Sequence, residues 1–367
     1  MHVVFRTDAS VQIGTGHVMR CLTLADALRD AGANCTFICR THTGHLLDLI
    51  HQRGHTSIAL AAPTTLPTDV QQNTSLRHHA SWLGTDWSSD AAETIKTLNT
   101  RCADWLIVDH YALDSRWESA LRPHCKQLMV MDDLADRAHD CDLLLDQNLG
   151  RSAEDYLPHI PEQATSLIGP RYALLRPEFA ALREESLNRR TAPKLQQLLI
   201  TLGGVDQDNI TEQVLNALSQ CALPNGLCIT VIMGAHAPWL ERVRATARTM
   251  PYPTQILVNV SHMARWMTLS DLCIGAAGGT AWERCCLGLP SLVMALAENQ
   301  KNGADALQEH GAALVFKNTD ELVELITDQR LCGEHPSLLK QLSASAAQVT
   351  HGNGTTMVVK ALKDLHV

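Results

Sequence analysis

A glycine-containing loop near the start of the chain ends in the residue best suited to acid–base chemistry. The loop runs from Arg6 to His17, follows the short apolar run HVVF at 2–5 and leads into a helical pattern that begins near His17. Gly14 and Gly16 allow a sharp turn that brings backbone N–H groups close to a ligand. A neutral imidazole at a helix start can accept a proton from water. The spacing alone leaves two interpretations of His17 open, a general base or a capping histidine at the edge of the core.

A second glycine-rich loop, GAAGGTAWE at 275–283, is suited to binding phosphate. It follows a strand-like run and opens a helix, so the backbone donors of Gly278, Gly279 and Thr280 could hold a diphosphate. Glu283, one turn further on, could accept hydrogen bonds from ribose hydroxyls. The alternative is a tight turn with a solvated glutamate that favours the helix dipole.

Gly203-Gly204 follows another strand-like run and forms a similar turn in the same half of the chain. Two such turns in one domain favour a phosphate-containing ligand more than either does alone. Neither has the Gly-x-x-x-x-Gly-Lys-Ser/Thr pattern, so we do not expect an ATPase-type phosphate loop.

Polar residues follow three further strand-like runs. Asp109-His110-Tyr111 and Asp132-Asp133 do so in the first half, and Glu298-Asn299-Gln300 in the second. Side-chain amides at such a position can hydrogen-bond a sugar, although a surface turn is the alternative. The paired acids have no evident phosphate-bridging partner, and no His-Glu-x-x-His spacing occurs, so we expect neither a metal nor another cofactor.

Composition and charge argue against a nucleic-acid-binding, secreted or membrane-spanning protein. The 367 residues include 30 Lys+Arg against 39 Asp+Glu, a net charge of −9, which disfavours a nucleic-acid-binding protein but not a nucleotide ligand. We see no secretory signal and no apolar run near the roughly 18 residues of a membrane span. The 12 cysteines include no Cys-x-x-Cys, which is typical of reduced thiols in a cytoplasmic protein.

Strand-like and helical segments alternate almost from end to end, which predicts parallel sheets with helical crossovers. We expect an α/β fold with two Rossmann-like, doubly wound domains facing across a cleft. The predicted boundaries are an N-terminal domain at 1–175, a linker at 176–193, a C-terminal domain at 194–350 and a C-terminal helix at 351–367. The polar stretch at 61–94 breaks the alternation and is interpreted as a loop-rich insertion.

Taken together, the motifs resemble the UDP-sugar hydrolases of pseudaminic acid biosynthesis, which remove UDP from UDP-2,4-diacetamido-2,4,6-trideoxy-β-L-altropyranose. The opening motif is the most specific part, and the polar stretch after Ala61 has no counterpart. The matching segments occur in the same order over nearly the whole chain: Arg6–Leu22, Val108–Glu118, Asp132–Arg137, Leu145–Asn148, Gly169–Phe179, Gly203–Asp206, Gly278–Glu283 and Glu298–Gln300.

This family is similar in fold to the GT-B glycosyltransferase that forms the peptidoglycan lipid precursor. The resemblance implies that His17 is the catalytic base and that UDP is held mostly by the C-terminal domain. The residues it implies for substrate binding are Asp8, Gly14, Thr15, Gly16, Arg20, Tyr111, Asn299 and Gln300. Those it implies for UDP binding are Gly203, Gly204, Val258, Val260, Gly278, Gly279, Thr280 and Glu283.

The implied reaction is attack of water on the anomeric carbon with inversion, by an enzyme that we expect to be a monomer without nucleic-acid or membrane partners. A GT-B glycosyltransferase using a UDP-amino sugar is one alternative, and a non-catalytic nucleotide-sugar binding protein is another. A UDP-sugar 2-epimerase would need several acidic and histidine groups that the sequence does not place.

Overall fold

A computed structural model describes residues 1–62, 79–98, 102–235, 237–333 and 336–366. The chain divides into two compact units. The first comprises Met1–Leu174 together with Gly354–Val367, and the second comprises Leu175–Asn353. Each unit is built around one parallel β-sheet with helices, so the fold is α/β with two Rossmann-like domains.

The sheet of the first unit has seven strands in the order β3-β2-β1-β4-β5-β6-β7, and all of its pairs are parallel. Its strands are β1 His2–Thr7, β2 Asn34–Arg40, β3 Thr56–Leu60, β4 Ala103–Asp109, β5 Cys125–Met131, β6 Leu143–Asp146 and β7 Thr165–Ile168. Its described α-helices are α1 Gly16–Asp30, α2 Leu47–Gln52, α3 Trp87–Leu98, α4 Ser115–Leu121 and, at the end of the chain, α14 Gly354–Leu365.

Strand side chains of the first sheet alternate between two buried clusters, as a sheet covered on both faces requires. Val3, Phe5 and Ile107 belong to one cluster, and Val4 and Leu106 belong to the other. Both faces of β1 and β4 are therefore packed, and only their ends are available for polar chemistry.

The sheet of the second unit has six parallel strands in the order β10-β9-β8-β11-β12-β13. The strands are β8 Gln197–Thr201, β9 Cys228–Met233, β10 Thr254–Val258, β11 Leu272–Ala276, β12 Ser291–Met294 and β13 Leu314–Val315. The α-helices are α5 Pro177–Arg189, α6 Ile210–Ser219, α7 Leu240–Ala247, α8 Met263–Leu269, α9 Thr280–Cys286, α10 Lys301–Glu309, α11 Thr319–Ile326, α12 Gln329–Cys332 and α13 Ser337–Val349. A separate apolar cluster that includes Leu198, Ile200 and Leu218 forms its core.

The two ends of the expected C-terminal domain differ from the expected boundaries. The segment interpreted as a linker, 176–193, contains helix α5, which belongs to the second unit. At the other end α14 belongs to the first unit, where Val358 and Leu362 lie in the core. The indole N–H of Trp105 donates to the backbone carbonyl of Leu362 at 3.1 Å, which ties this helix to β4.

Part of the stretch interpreted as a polar insertion is regular structure. A 3-10 helix at Ala80–Leu83 is followed by α3, which places Ala91 and Leu98 in the core of the first unit. Residues 63–78 of the same stretch lie outside the described residues. Among the helices of the described ranges, none has both the length and the apolar character that crossing a bilayer requires.

Candidate functional site

The candidate catalytic residues follow the two central strands of the first sheet. Strand β1 lies between β2 and β4, and the strand order reverses at the β1–β4 pair. In open parallel sheets ligands bind beyond the carboxyl ends of the strands at such a reversal. Asp109 is the last residue of β4 and pairs in register with Thr7 of β1, while His17 lies in the first turn of α1, which follows β1.

His17 and Asp109 form a hydrogen-bonded pair. His17 Nδ1 lies 2.6 Å from Asp109 Oδ1, and both side chains are buried, His17 with 8% of its surface exposed. An ionised carboxylate can only accept hydrogen bonds, so Nδ1 is the donor. In the neutral ring this leaves the lone pair on Nε2, which is the arrangement of a general base oriented by a carboxylate.

Arg20 holds Asp109 in its charged form. Its Nε and Nη2 each donate to one oxygen of Asp109 at 2.7 Å, and its Nη1 donates to Asp133 at 3.2 Å. Although burial opposes the charge, the guanidinium of Arg20 and then His17 hold the pKa of Asp109 well below its usual range. Arg20 is one of the residues expected to bind substrate. In the structure two of its guanidinium nitrogens instead donate to the carboxylate that orients His17.

Aromatic rings surround the imidazole of His17. The ring of Tyr111 meets it edge-on at a centroid distance of 4.6 Å, and Trp82 stacks on Tyr111 at 5.6 Å. His79 contacts both Trp82 and Tyr111, at 4.4 Å and 5.0 Å. Burial, and then the neighbouring Asp133, raise the pKa of Tyr111 well above its usual range, so that its hydroxyl stays protonated. Trp82 is partly exposed and can offer an apolar wall beside His17.

Asp8 has a different place from the one expected of a substrate-binding residue. Its side chain is fully buried, pairs with Arg6 at 2.7 Å and accepts the backbone N–H of Arg40 at 2.6 Å. These partners fix the start of the glycine loop to β2, so Asp8 positions the loop, and direct contact with substrate stays a prediction.

The glycine loop after Asp8 is partly exposed. Gly14 has a φ of +80°, which glycine adopts without strain, and its N–H donates to the carbonyl of Ser10 at 2.8 Å. Thr15 is the N-cap residue of α1, and its side chain makes no capping hydrogen bond. Gly16, the first residue of α1, is exposed. These three residues lie directly before His17 and remain candidates for substrate contact.

The second unit repeats this topology, because its strand order also reverses at its two central strands, β8 and β11. Gly203-Gly204 follows β8, and Gly203 has a φ of +94°. Asp206 accepts the backbone N–H groups of Ile210 and Thr211 at 2.8 and 2.9 Å, so the start of α6 is already capped by a carboxylate. Any anion at this turn would therefore be held by the glycine backbone and not by the helix end.

The turn at Gly278, Gly279 and Thr280 follows β11. Within the described chain, the amides of Gly278 and Gly279 have no backbone acceptor, so they can serve a ligand. Gln300, from the 3-10 helix Glu298–Gln300 after β12, places its amide nitrogen 3.5 Å from where a Cβ of Gly278 would be. Helix α9 has only seven residues, so we assign little of the anion affinity to its dipole.

Arg284, which no sequence pattern marks as a site residue, is hydrogen-bonded to residues on both sides of this turn. Its side chain is 1% exposed and donates to the Ala276 carbonyl at 2.8 Å, the Thr280 hydroxyl at 3.1 Å and the Ser291 hydroxyl at 3.2 Å. A Cβ on Gly275 would lie 2.7 Å from Arg284 Nη1. Gly275 therefore makes room for the guanidinium inside strand β11 and is not part of the loop.

Glu283 lies one turn after the glycine pair, with Arg176 3.6 Å away. Burial raises the pKa of Glu283 to about 7, against the opposing effect of Arg176. Its carboxyl group therefore changes charge near neutral pH. A raised pKa of this kind is expected of a carboxyl group that has been removed from water.

The remaining candidates lie at the same edge of the second sheet, because all six strands are parallel. Val258 ends β10, which is two strands away from β8, and Val260 follows Asn259, whose φ is +52°. Asn299 is exposed in the 3-10 helix that holds Gln300. No group of three or more His, Cys, Asp and Glu in the described ranges is arranged to hold a metal ion.

The sequence patterns do not predict a site role for Asp109, Trp82 or Arg284. Asp109 ends a strand-like run, but its partner His17 is 92 positions away, and no spacing rule predicts that pairing. Trp82 falls in the stretch interpreted as an insertion. The one available signal for Arg284 was a glycine inside a strand, Gly275, which often marks the close approach of another group.

Comparison with known proteins gives relatives over most of the chain. Residues 197–354 match the Glycosyltransferase family 28 C-terminal domain. The UDP-2,4-diacetamido-2,4,6-trideoxy-beta-L-altropyranose hydrolase of Campylobacter jejuni is 25% identical over 86% of this chain and 100% of its own length. An uncharacterized protein of Methanocaldococcus jannaschii is 24% identical over 83% of this chain, which spans 58% of that relative.

Among solved structures, MurG of Acinetobacter baumannii superposes with a TM-score of 0.70 at 17% identity, covering 99% of both chains. This likeness shows a shared fold. The chain is therefore similar, over most of its length, to the Campylobacter hydrolase in sequence and to MurG in fold, with a family 28 glycosyltransferase C-terminal domain match in its second half.

Proposed function

We propose that this protein is an enzyme acting on a UDP-sugar, and that it hydrolyses UDP-2,4-diacetamido-2,4,6-trideoxy-β-L-altropyranose to UDP and the free sugar, a step of pseudaminic acid biosynthesis. The observation that carries the proposal is the buried His17–Asp109 pair at the strand-order reversal of the first sheet. The similarity to the Campylobacter hydrolase supports the choice of substrate.

In this proposal the first unit supplies the base. Nε2 of His17 takes a proton from a water molecule, and Asp109 stabilises the imidazolium that forms. Arg20 keeps Asp109 ionised throughout, because it occupies both carboxylate oxygens at 2.7 Å. The rings of Tyr111 and Trp82 lie beside the imidazole of His17 and would shield the attacking water from bulk solvent.

The second unit would bind UDP. Backbone N–H groups of Gly203, Gly204, Gly278 and Gly279 are suited to the diphosphate, and Glu283 to the ribose hydroxyls. Val258 and Val260 are the expected neighbours of uracil, and Asn299 and Gln300 those of the sugar. The resemblance to the UDP-sugar hydrolases implies these roles, and the position of the residues at the carboxyl edge of a parallel sheet supports them.

The proposed reaction breaks the bond between the anomeric carbon and the phosphate oxygen. Water attacks the anomeric carbon as His17 removes its proton, and the electron pair of the C–O bond leaves with UDP, so the configuration inverts. UDP gains negative charge as the bond breaks, and fixed donors around the diphosphate stabilise that charge most at this moment.

The test is hydrolysis in ¹⁸O-enriched water with purified protein, the UDP-sugar and no acceptor. We expect UDP release equal to the sugar consumed, with no label in UDP. Label in UDP would show cleavage of the P–O bond instead and would contradict the proposed mechanism. Because phosphate oxygens do not exchange with water under these conditions, the label in UDP is a permanent record.

A glycosyltransferase is the second candidate, and the match of residues 197–354 to a glycosyltransferase domain favours it. The same incubation separates the two, since a transferase would release little UDP until an acceptor is added. Tight binding of UDP with no turnover under either condition would instead indicate a nucleotide-sugar binding protein.

A further inference from the structure

Arg284 is a buried cation whose hydrogen-bond partners carry no charge. Its guanidinium reaches one backbone carbonyl and the hydroxyls of Thr280 and Ser291. Other buried arginines of this chain are neutralised: Arg6 and Arg40 both pair with Asp90, and Arg137 pairs with Asp132. Within the described ranges Arg284 has no such ion pair. Its charge acts on the neighbouring Glu283, whose carboxyl group has a pKa of about 7 and is only partly ionised at neutral pH. A buried charge that is incompletely neutralised is costly, so an anion at this turn would stabilise it.

Arg190 shows what a purely structural arginine looks like in the same unit. It too is buried, with 6% exposed, and it also makes no ion pair among the described residues. Its guanidinium donates to the backbone carbonyls of Ser186, Met267 and Ser270, two of them at the end of α8. These carbonyls satisfy the donors of Arg190, while burial lowers the pKa of its guanidinium to about 10. Arg284 has a single carbonyl, at the end of a strand.

The position of Arg284 relates it to the glycine turn after β11. Two of its partners, Ala276 and Thr280, stand immediately before and after Ala277-Gly278-Gly279. Gly275 leaves the space that the guanidinium occupies, because a Cβ there would lie 2.7 Å from Nη1. The guanidinium of Arg284 therefore lies next to the turn Ala277-Gly278-Gly279. The amides of Gly278 and Gly279 in this turn have no backbone acceptor within the described chain.

The hydrogen bond to Thr280 allows the charge of Arg284 to act on a ligand through the Thr280 hydroxyl. The Thr280 oxygen accepts from Arg284 Nη1 at 3.1 Å, which leaves its own hydroxyl hydrogen to donate elsewhere. Accepting from a cation polarises a hydroxyl and strengthens the hydrogen bond that it donates.

We propose that Arg284 is a positioning residue that makes the second unit select a nucleoside diphosphate, acting through the hydroxyl of Thr280 on the anionic oxygens of the ligand. This inference rests on the proposed function, because it assigns the nucleotide to this turn. It adds a source of specificity: affinity rises with the negative charge of the phosphate group, from nucleoside to monophosphate to diphosphate.

The experiment measures the affinities of UDP, UMP and uridine for the full chain by calorimetry, with competition where binding is weak. The variants are Arg284→Met, which removes the charge, Arg284→Lys, which keeps it, and Arg190→Met, a matched control that removes the other buried guanidinium. We expect Arg284→Met to weaken UDP binding by about 10- to 100-fold, as for loss of a charge-assisted hydrogen bond, with uridine affinity changed less than about twofold.

In the same assay Arg284→Lys should retain most of the preference for UDP over uridine, and Arg190→Met should leave the ratio of the two affinities unchanged. If Arg284→Met does not fold, Thr280→Val tests the same route and should reduce the same preference. Equal losses for UDP and uridine would overturn the inference and leave Arg284 a structural residue.

Turnover is a second readout, because a purely structural role of Arg284 would not affect kcat and KM by different factors. Because the leaving UDP is more negative than the bound UDP-sugar, Arg284→Met should lower kcat by a larger factor than it raises KM. A wild-type protein that binds none of the three ligands would overturn the proposed function as well. Wild-type preference for UDP that persists in Arg284→Met and Thr280→Val would overturn this inference alone.

Discussion

At the scale of single residues, Asp109 decides what His17 can do. An imidazole at the start of a helix is ambiguous by itself, and the 2.6 Å contact with a carboxylate resolves which ring nitrogen carries the hydrogen. Arg20 in turn fixes the carboxylate with two hydrogen bonds. The three side chains form one unit in which each member is oriented by the next.

Replacing Asp109 with Asn should therefore impair catalysis strongly. An amide can donate to Nδ1 and so favour the tautomer that protonates Nε2, which is the wrong form for a base. We expect kcat to fall by roughly 10²- to 10⁴-fold, with UDP affinity within about threefold of wild type. Steady-state kinetics and calorimetry check this.

Asp133→Asn is the matched control, because Asp133 also binds Arg20 at 3.2 Å, and the structure records no hydrogen bond between it and His17. Its loss of turnover should be much smaller than that of Asp109→Asn. Similar losses for the two variants would mean that the charge around Arg20 matters, and not the tautomer of His17.

Glu283 makes the affinity for UDP depend on pH. Burial raises its pKa to about 7, so the carboxyl group is mostly protonated at pH 6 and mostly ionised at pH 8. The ionised form is the better acceptor for ribose hydroxyls, so affinity should increase with pH across this window.

The Glu283→Gln variant should lack the part of this pH dependence of UDP affinity that comes from ionisation of Glu283. The diphosphate itself titrates near pH 6, and that effect is common to both proteins, so the difference between their pH profiles isolates Glu283. Parallel profiles of the two proteins, measured by calorimetry from pH 5.5 to 8.5, would remove Glu283 from the ribose site.

The glycine turns and His17 could be found from the sequence because their signals are local. A glycine pair after an apolar run marks a strand-to-helix turn, and residues at such turns meet at one edge of a parallel sheet. The burial of Asp8 could not be predicted, because no local pattern reveals it. Arg6 and the backbone of Arg40, 32 positions further on, enclose its carboxylate completely.

At the scale of elements, the strands carry buried acids to the carboxyl edge of the first sheet. Asp109, Asp132 and Asp146 end or follow three neighbouring strands, β4, β5 and β6. The first two have arginine partners, which keep them ionised. Burial, and then the charge of Asp133, raise the pKa of Asp146 to about 7.

This carboxyl group should make the protein less stable as pH rises. An aspartate in the unfolded chain titrates near 3.9, so between about pH 4 and pH 7 the folded state holds a proton that the unfolded state has lost. The free energy of unfolding should therefore decrease across that window as far as Asp146 is concerned, and remain level above it.

Asp146→Asn should remove this penalty. The amide oxygen can accept the backbone N–H of Asn148, and the amide nitrogen can donate to the hydroxyl of Tyr156, which replaces both recorded contacts. We expect the variant to melt a few degrees above wild type at pH 8, with little difference at pH 4.5. A Tm difference that does not change with pH would contradict the assignment of the proton.

Most elements could be predicted from hydrophobic runs, and the exceptions have a physical cause. The runs CITVIM and SLVM form β9 and β12 over their whole length, because inner strands buried on both faces are largely apolar and are therefore easily recognised. The edge strands β3 and β7 were not predicted, since TSIAL and TSLI contain polar residues that a strand with one free edge tolerates. The C-terminal helix expected at 351–367 is present as α14, Gly354–Leu365.

At the scale of the whole molecule, the two units have separate cores and carry different parts of the proposed chemistry. The sequence predicted two such domains from the restart of the strand–helix alternation after residue 193. It did not predict that α14 returns to the first unit, because the contact of Leu362 with Trp105 joins residues 257 positions apart. Separate cores allow a substitution in one unit to leave ligand binding by the other intact.

The most direct test of the account is therefore a comparison of turnover and UDP affinity in His17→Asn. The substitution removes Nε2 as a base while leaving a polar side chain beside Asp109. We predict that kcat for UDP-sugar hydrolysis falls by at least about 10²-fold while the Kd for UDP changes by less than about threefold. A His17→Asn protein that retains most of its turnover, or that loses UDP affinity and turnover by the same factor, would contradict it.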